Sequence, residues 1–150
     1  MLTINRLREF LIEAKTAIPE IKYTQAIITN EEFVKFLKER KTADNTMLFG
    51  VIPEHGLVGS EDKSKYANYL QFFLIDKSAT KDLKHDAKLD LYNKVQLTTK
   101  QFVDYILEQK SDEDSCGIFQ YFNESSADIK VFWDGFECRG YEILFELETN

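Results

Sequence analysis

The sequence contains few of the residues from which common catalytic and metal sites are built. It has only two cysteines, two histidines and six glycines among its 150 residues. Cys116 and Cys138 belong to no CxxC pair and to no cysteine–histidine spacing that could close a tetrahedral zinc site. The pattern therefore predicts reduced thiols and no structural zinc.

The two histidines also limit nucleophilic catalysis, because a serine or cysteine nucleophile usually needs a histidine base within reach. His55 falls in a polar, glycine-containing stretch and His85 near the start of a predicted helix. A pairing of Cys116 with His55, or of Cys138 with His85, stays open, although each of these residues is more often structural. Acyl-transfer chemistry is disfavoured.

The glycines never form the GxGxxG or GxxxxGK patterns that cradle phosphates. The nearest approach to a metal-dependent nuclease pattern is Glu54 followed by Glu61, Asp62 and Lys63, and it lies within one polar loop that would not hold carboxylates rigidly. The acidic run at 112–114 lacks the glycine and terminal glutamate of a calcium loop. We therefore expect no cofactor and no metal, and no small-molecule ligand is evident.

Long apolar runs are missing as well. Residues 1–15 interrupt their apolar positions with charges, unlike a secretory signal, and no stretch approaches the roughly 20 apolar residues of a membrane span. The formal net charge of -7 opposes attraction to nucleic-acid phosphates and to anionic lipids. We expect a cytoplasmic protein with no nucleic-acid or membrane partner.

The residues that are present predict one folded domain over 1–150. Hydrophobic residues make up 43% of the chain, enough for a core at this length. Apolar periodicity predicts helices at 3–17, 31–40 and about 80–110, strands at 21–29, 47–52, 66–76, 117–122, 129–133 and 141–147, and a loop at 53–65. The class is α+β: a mostly antiparallel sheet of about five to six strands, with two to three helices on one face and one long helix near 80–110.

Aromatic side chains are the best hint of function in the sequence. The strands at 118–122 and 131–133 are aromatic on both faces, so one face needs a cover that few helices are left to provide. Tyr121, Phe132, Trp133 and Phe136 are the candidate contact residues. We interpret them as a surface for self-association through the sheet or its edge.

Two alternatives remain open. Asp82, Asp86 and Asp90 recur every four residues in the predicted long helix, and they are either a solvated face or an acidic stripe that docks a basic partner. An enzyme with a site built from residues distant in sequence is the second alternative, and its candidate residues are His55, Asp76, Asp134 and Glu137.

The order of elements resembles that of the small tail-completion or tail-terminator proteins of phages and phage-like particles. The resemblance rests on the opening helix LTINRLREFLIEA, the strand YLQFFLID with the helix after it, and the closing hairpin IKVFWDGFECRGYEILFEL. It implies a non-enzymatic assembly protein that forms homo-oligomeric rings, contacts other assembly proteins and resides in a virion. That family has no catalytic residues that could be transferred to this chain.

Overall fold

The protein is described by a computed structural model for residues 1–111, 118–133 and 136–150. Within these ranges there are three α-helices, α1 (Ile4–Ala17), α2 (Asn30–Glu39) and α3 (His85–Ser111), and a short 3-10 helix at Thr42–Asp44. The strands are β1 (Tyr23–Ile27), β2 (Met47–Val51), β3 (Glu54–Val58), β4 (Lys65–Lys77), β5 (Phe122–Trp133) and β6 (Cys138–Thr149). No helix in the described ranges combines the length and apolar character needed to cross a bilayer.

The strands form one six-stranded sheet in the order β1-β2-β4-β6-β5, with β3 paired to β4. Every pairing is antiparallel except that of β1 with β2. Along one side of β4, β2 pairs with its C-terminal half and β3 with its N-terminal half, while β6 pairs with the whole of its other side. The α+β class and the mostly antiparallel sheet are therefore confirmed.

Helices α1 and α3 cover one face of the sheet, which we call the helix face. Thr3 caps α1 by accepting a hydrogen bond from the Arg6 backbone N–H at 3.2 Å. Phe10 of α1 contacts Phe72 of β4 at 5.7 Å and Phe102 of α3 at 5.9 Å between ring centroids. These buried rings join the two helices to the central strand in one core.

Helix α2 lies on the opposite face and covers only one end of it. Thr29 and Glu32 form its capping pair: the Thr29 hydroxyl accepts from the Glu32 N–H, and the Glu32 carboxylate accepts from the Ile28 N–H, both at 3.2 Å. Phe33 then packs on Phe49 and Phe73, with ring centroids 5.2 and 4.6 Å apart. No helix of the described ranges lies on the remainder of this face, and we call it the open face.

Several element boundaries differ from those predicted. The predicted loop at 53–65 contains β3, a short strand at the sheet edge that pairs only with β4 among the described strands. A reversal at Gly59, with φ of 107°, leads from β3 back into β4. Residues 118–121 form a turn rather than a strand, and β5 begins at Phe122 rather than at residue 129.

The pairing of β4 with β6 requires a residue without a side chain at position 140. Gly140 lies opposite Ile75, and a Cβ there would overlap the Leu74 carbonyl oxygen and stand 2.9 Å from the carbonyl carbon. Both atoms belong to the backbone of β4, so neither can rotate out of the way as the end of a side chain could.

We expect Gly140→Ala to lower the free energy of unfolding by about 1–3 kcal/mol, because the added methyl forces the two central strands apart. Gly56→Ala in β3 is the matched control, since its Cβ would meet only the Tyr69 ring at 3.6 Å or more, and its effect should stay within about 0.5 kcal/mol. Urea denaturation of both variants measures the difference. Equal losses would contradict the proposed backbone contact.

Candidate functional site

The outer strand β5 exposes a row of large apolar side chains. Ile129, Val131 and Trp133 are 48, 60 and 73% exposed. They lie opposite residues of β6 that face the core beneath α1 and α3, among them Ile143 and Tyr141, and therefore point to the helix face. We call these three residues the edge row.

The edge row stays uncovered because the helix layer ends before it. Helix α3 packs over β4 and β6, and it reaches β5 through Tyr92, whose hydroxyl donates to the Phe132 carbonyl at 3.2 Å. The Tyr92 ring also meets Tyr141 edge-on at 6.2 Å. Burial raises the pKa of Tyr92 above its ordinary value, with Arg139 acting in the opposite direction, so this hydroxyl stays a donor at neutral pH.

The face of β5 that points away from the edge row carries charged side chains. Lys130 forms an ion pair with Asp128 at 3.0 Å, and both side chains are exposed. The hydrogen bond to Asp128, followed by its charge, raises the pKa of Lys130. A charged lysine on an edge strand discourages indiscriminate strand pairing and thereby restricts which surfaces can add to β5.

A bulge between Asn123 and Asp128 shapes the first half of β5. The Ser126 hydroxyl donates to the Asn123 carbonyl at 2.6 Å and accepts from the Glu146 N–H at 2.8 Å. It thus satisfies a donor of β6 that the shifted ladder would leave unpaired. This is why a polar sequence that resembles a turn continues as strand.

The structure does not bring the four candidate aromatics together on one surface. Trp133 is exposed as predicted, whereas Phe132 is half-buried against Phe33 and Phe73 on the opposite face. Tyr121 is exposed and directly precedes the first residue of β5, at the opposite end of the strand from Trp133. The Lys65 ammonium lies 5.1 Å from its ring. Phe136 is half-buried, with the Lys38 ammonium 4.6 Å from its ring. Only Trp133 belongs to the edge row.

Two members of the edge row were absent from the sequence-based candidates. Ile129 and Val131 alternate with charged Asp128 and Lys130, a pattern that fits one apolar and one polar face. The alternation was visible in the sequence, but it predicts a buried apolar face. Only the position of β5 at the edge of the sheet leaves that face exposed.

The acidic stripe is shorter than the sequence suggested. Helix α3 begins at His85, so Asp82 precedes it and lies outside its regular geometry. Asp86 and Asp90 are exposed one turn apart on the helix. A stripe of three aspartates on one helix face is therefore not formed.

The scattered catalytic set is not assembled either. His55 pairs across β3 and β4 with Asn68, where its Nδ1 lies 2.9 Å from the amide oxygen. Asp76 lies eight residues further along β4, which is ~26 Å at the rise of an extended strand. Glu137 lies near the Asp76 end, where its carbonyl accepts from the Ser78 N–H. Asp134 falls outside the described residues.

Asp76 has a structural partner instead. Its carboxylate is 3% exposed beneath α3, where Oδ2 lies 2.8 Å from the Lys94 Nζ. Its Oδ1 is buried and has no hydrogen-bond partner among the described residues, and the same holds for the hydroxyl of Thr46, which directly precedes β2. The pair fixes α3 over the C-terminal end of β4. Among the described residues, no three acidic, cysteine or histidine side chains converge as metal ligands would.

Comparisons with known proteins add no family to this description. No protein-family model matches the chain, and no curated protein matches it in sequence.

We expect Lys94→Met to lower the free energy of unfolding by about 1–3 kcal/mol, because Asp76 stays buried and loses its ion-pair partner. Adding Asp76→Asn should recover part of this loss, since the neutral amide needs no counter-charge. Lys100→Met is the control: it breaks the exposed 2.6 Å pair with Asp104 and should cost less than about 1 kcal/mol. Denaturant titration of the variants decides, and equal losses for the two lysines would contradict this role of Asp76.

Proposed function

We propose that the protein is a non-enzymatic structural or assembly protein of a phage or phage-like tail, which acts by homo-oligomeric ring formation through β5. The observation that carries the proposal is the edge row: three neighbouring apolar side chains are exposed on a strand whose only partner among the described strands is β6. Exposed apolar groups on an unpaired strand edge favour addition of another chain. The tail assignment is supported by the resemblance of the opening helix, the strand YLQFFLID with the helix after it, and the closing hairpin.

A closed ring requires a contact between two different surfaces of neighbouring copies. The side of the sheet opposite β5 provides one in β3, which pairs only with β4 among the described strands. Leu57 of β3 is exposed and lies opposite Tyr66, and strand alternation places it on the helix face together with the edge row. If the sheet continues from β5 of one copy to β3 of the next, Leu57 and the edge row meet on the same side.

The distribution of charges on α3 favours the edge row over an acidic docking helix as the contact surface. Asp86 and Asp90 are interspersed with lysines 84, 88 and 94 on and before α3, so that helix offers no uniform negative face. The edge row, in contrast, is continuous and contains a tryptophan, a residue enriched at the energetic centres of protein interfaces. Contacts with other assembly proteins would use the surfaces that a ring leaves free.

We expect Val131→Lys to shift the protein from a ring of fixed mass to monomers, with association weakened on the order of tenfold or more, because a charge replaces an apolar contact at the centre of the row. Ile12→Lys is the matched control, since Ile12 is an equally exposed aliphatic residue on α1 and should leave the mass unchanged. Light scattering and negative-stain electron microscopy measure mass and shape.

A wild-type protein that stays monomeric at high concentration would contradict self-association. Assembly of Val131→Lys at wild-type strength would contradict the use of the edge row. The tail assignment has a separate test in the genome, where neighbouring genes for capsid and tail-tube proteins are the expected context and a metabolic operon would count against it.

A further inference from the structure

The open face contains a trough that the proposed ring contact does not use. It is a cavity of about 420 Å³ beyond the end of α2, and its lining includes Glu54, Tyr69, Gln71, Ser126, Leu144 and Glu146. The β2–β3 connection forms one wall and the β5 bulge forms the other. The edge row lies on the opposite face of the sheet.

Strand register places an aromatic ring between two carboxylates at the floor of this trough. Tyr69 of β4 lies directly opposite Glu54 of β3 and directly opposite Glu146 of β6. Side chains at such positions share a face, with Cβ atoms about 5 Å apart. The three side chains therefore form one transverse row of acid, aromatic ring and acid.

The Tyr69 ring lies beside β3, and no other described side chain covers it completely. A Cβ at Gly56, on the neighbouring strand, would stand 3.6 Å from its hydroxyl oxygen and 3.7 Å from a ring carbon, so the ring lies beside this glycine. Tyr69 is still 49% exposed. One surface of the ring is thus available to a ligand.

The charge of the trough is uniformly negative. Among the described residues, Glu54 and Glu146 are the only charged ones that line it, and neither forms an ion pair with a described lysine or arginine. Other acids on this face already have partners: Glu148 pairs with Lys65 at 3.2 Å, and Glu142 accepts a hydrogen bond from Gln71. Two carboxylates therefore remain free beside an exposed ring.

We propose that this trough binds an arginine side chain presented by an extended segment of a partner protein. A guanidinium stacks on an aromatic ring and donates parallel hydrogen bonds to carboxylates, which matches both features of the row. The trough is open at the surface between the β2–β3 connection and the β5 bulge, so a polypeptide can cross it while one side chain enters. Anionic partners are excluded by the two carboxylates and by the net charge of -7.

The test is a titration of the isotope-labelled full chain with the peptide acetyl-Gly-Gly-Arg-Gly-Gly-amide. Binding is monitored by NMR through the backbone amide chemical shifts of the protein. Saturable shifts should centre on Tyr69, Gln71 and Glu146. The same peptide with citrulline, which has the shape of arginine without its charge, should cause no saturable shift. Glu54→Gln with Glu146→Gln should weaken binding on the order of tenfold, because charge-assisted hydrogen bonds are lost.

Asp86→Asn with Asp90→Asn is the matched control, because it removes the same charge from an exposed helix and should leave binding unchanged. Equal loss in both double variants would reduce the effect to general attraction and overturn the site. Equal binding of the citrulline peptide would overturn the need for a cation. Tighter binding of spermidine than of the peptide at these residues would overturn a protein partner in favour of a small polycation.

Running the titration in the Val131→Lys background separates the two proposals. Arginine binding that persists there, whatever the mass of the wild-type protein, supports the trough independently of ring formation. Binding that requires the assembled wild-type protein would overturn the claim that a single chain holds the complete site.

Discussion

The burial of β4 on both of its faces is the constraint on which the other elements depend. Leu70, Phe72 and Leu74 enter the core beneath α1 and α3, while Phe73 and Ile75 enter the core beneath α2. A strand of this kind must lie inside a sheet, and β6 accordingly pairs with it from Tyr66–Thr149 to Lys77–Cys138. Gly140 permits the close approach of the two backbones near the end of that pairing.

The length of β4 explains why the sheet has unequal edges. At thirteen residues it is longer than either β2 or β3, so these two strands divide one of its sides. The helices, in contrast, pack on the aromatic rings of β4, and these rings lie over the middle of the sheet. The outer strands β3 and β5 are left with exposed apolar side chains on the helix face, and the far part of the opposite face is left without a helix. The edge row is exposed because the helix layer does not extend sideways over β5, and the trough is exposed because α2 covers only one end of the opposite face.

The two surfaces differ in the chemistry that each can recognise. The edge row offers aliphatic and indole groups and unpaired backbone, which suit another strand. The trough offers carboxylates and a phenol ring, which suit a cation. The two surfaces lie on opposite faces of one sheet, so the proposed ring contact and the proposed arginine site use different side chains.

Much of the fold follows from local patterns in the sequence. The apolar periodicity of α1, β4 and β6 reflects preferences of residues close in the chain, and it predicted the correct element in each case. Strand β3 and the bulge in β5 were not predicted, because their polar residues form strands only through pairing with β4 and β6. Phe132 and Trp133 read alike in the sequence, yet one is packed against Phe33 and the other is exposed.

The sequence by itself thus determined the class of fold, the approximate position of β4 and the scarcity of residues for familiar catalytic sites. Tertiary structure alone decided which apolar side chains remain in solvent, since that depends on where the helix layer ends. It also decided that Glu54, Tyr69 and Glu146 stand in one row, because residues far apart in the chain become neighbours only through strand register.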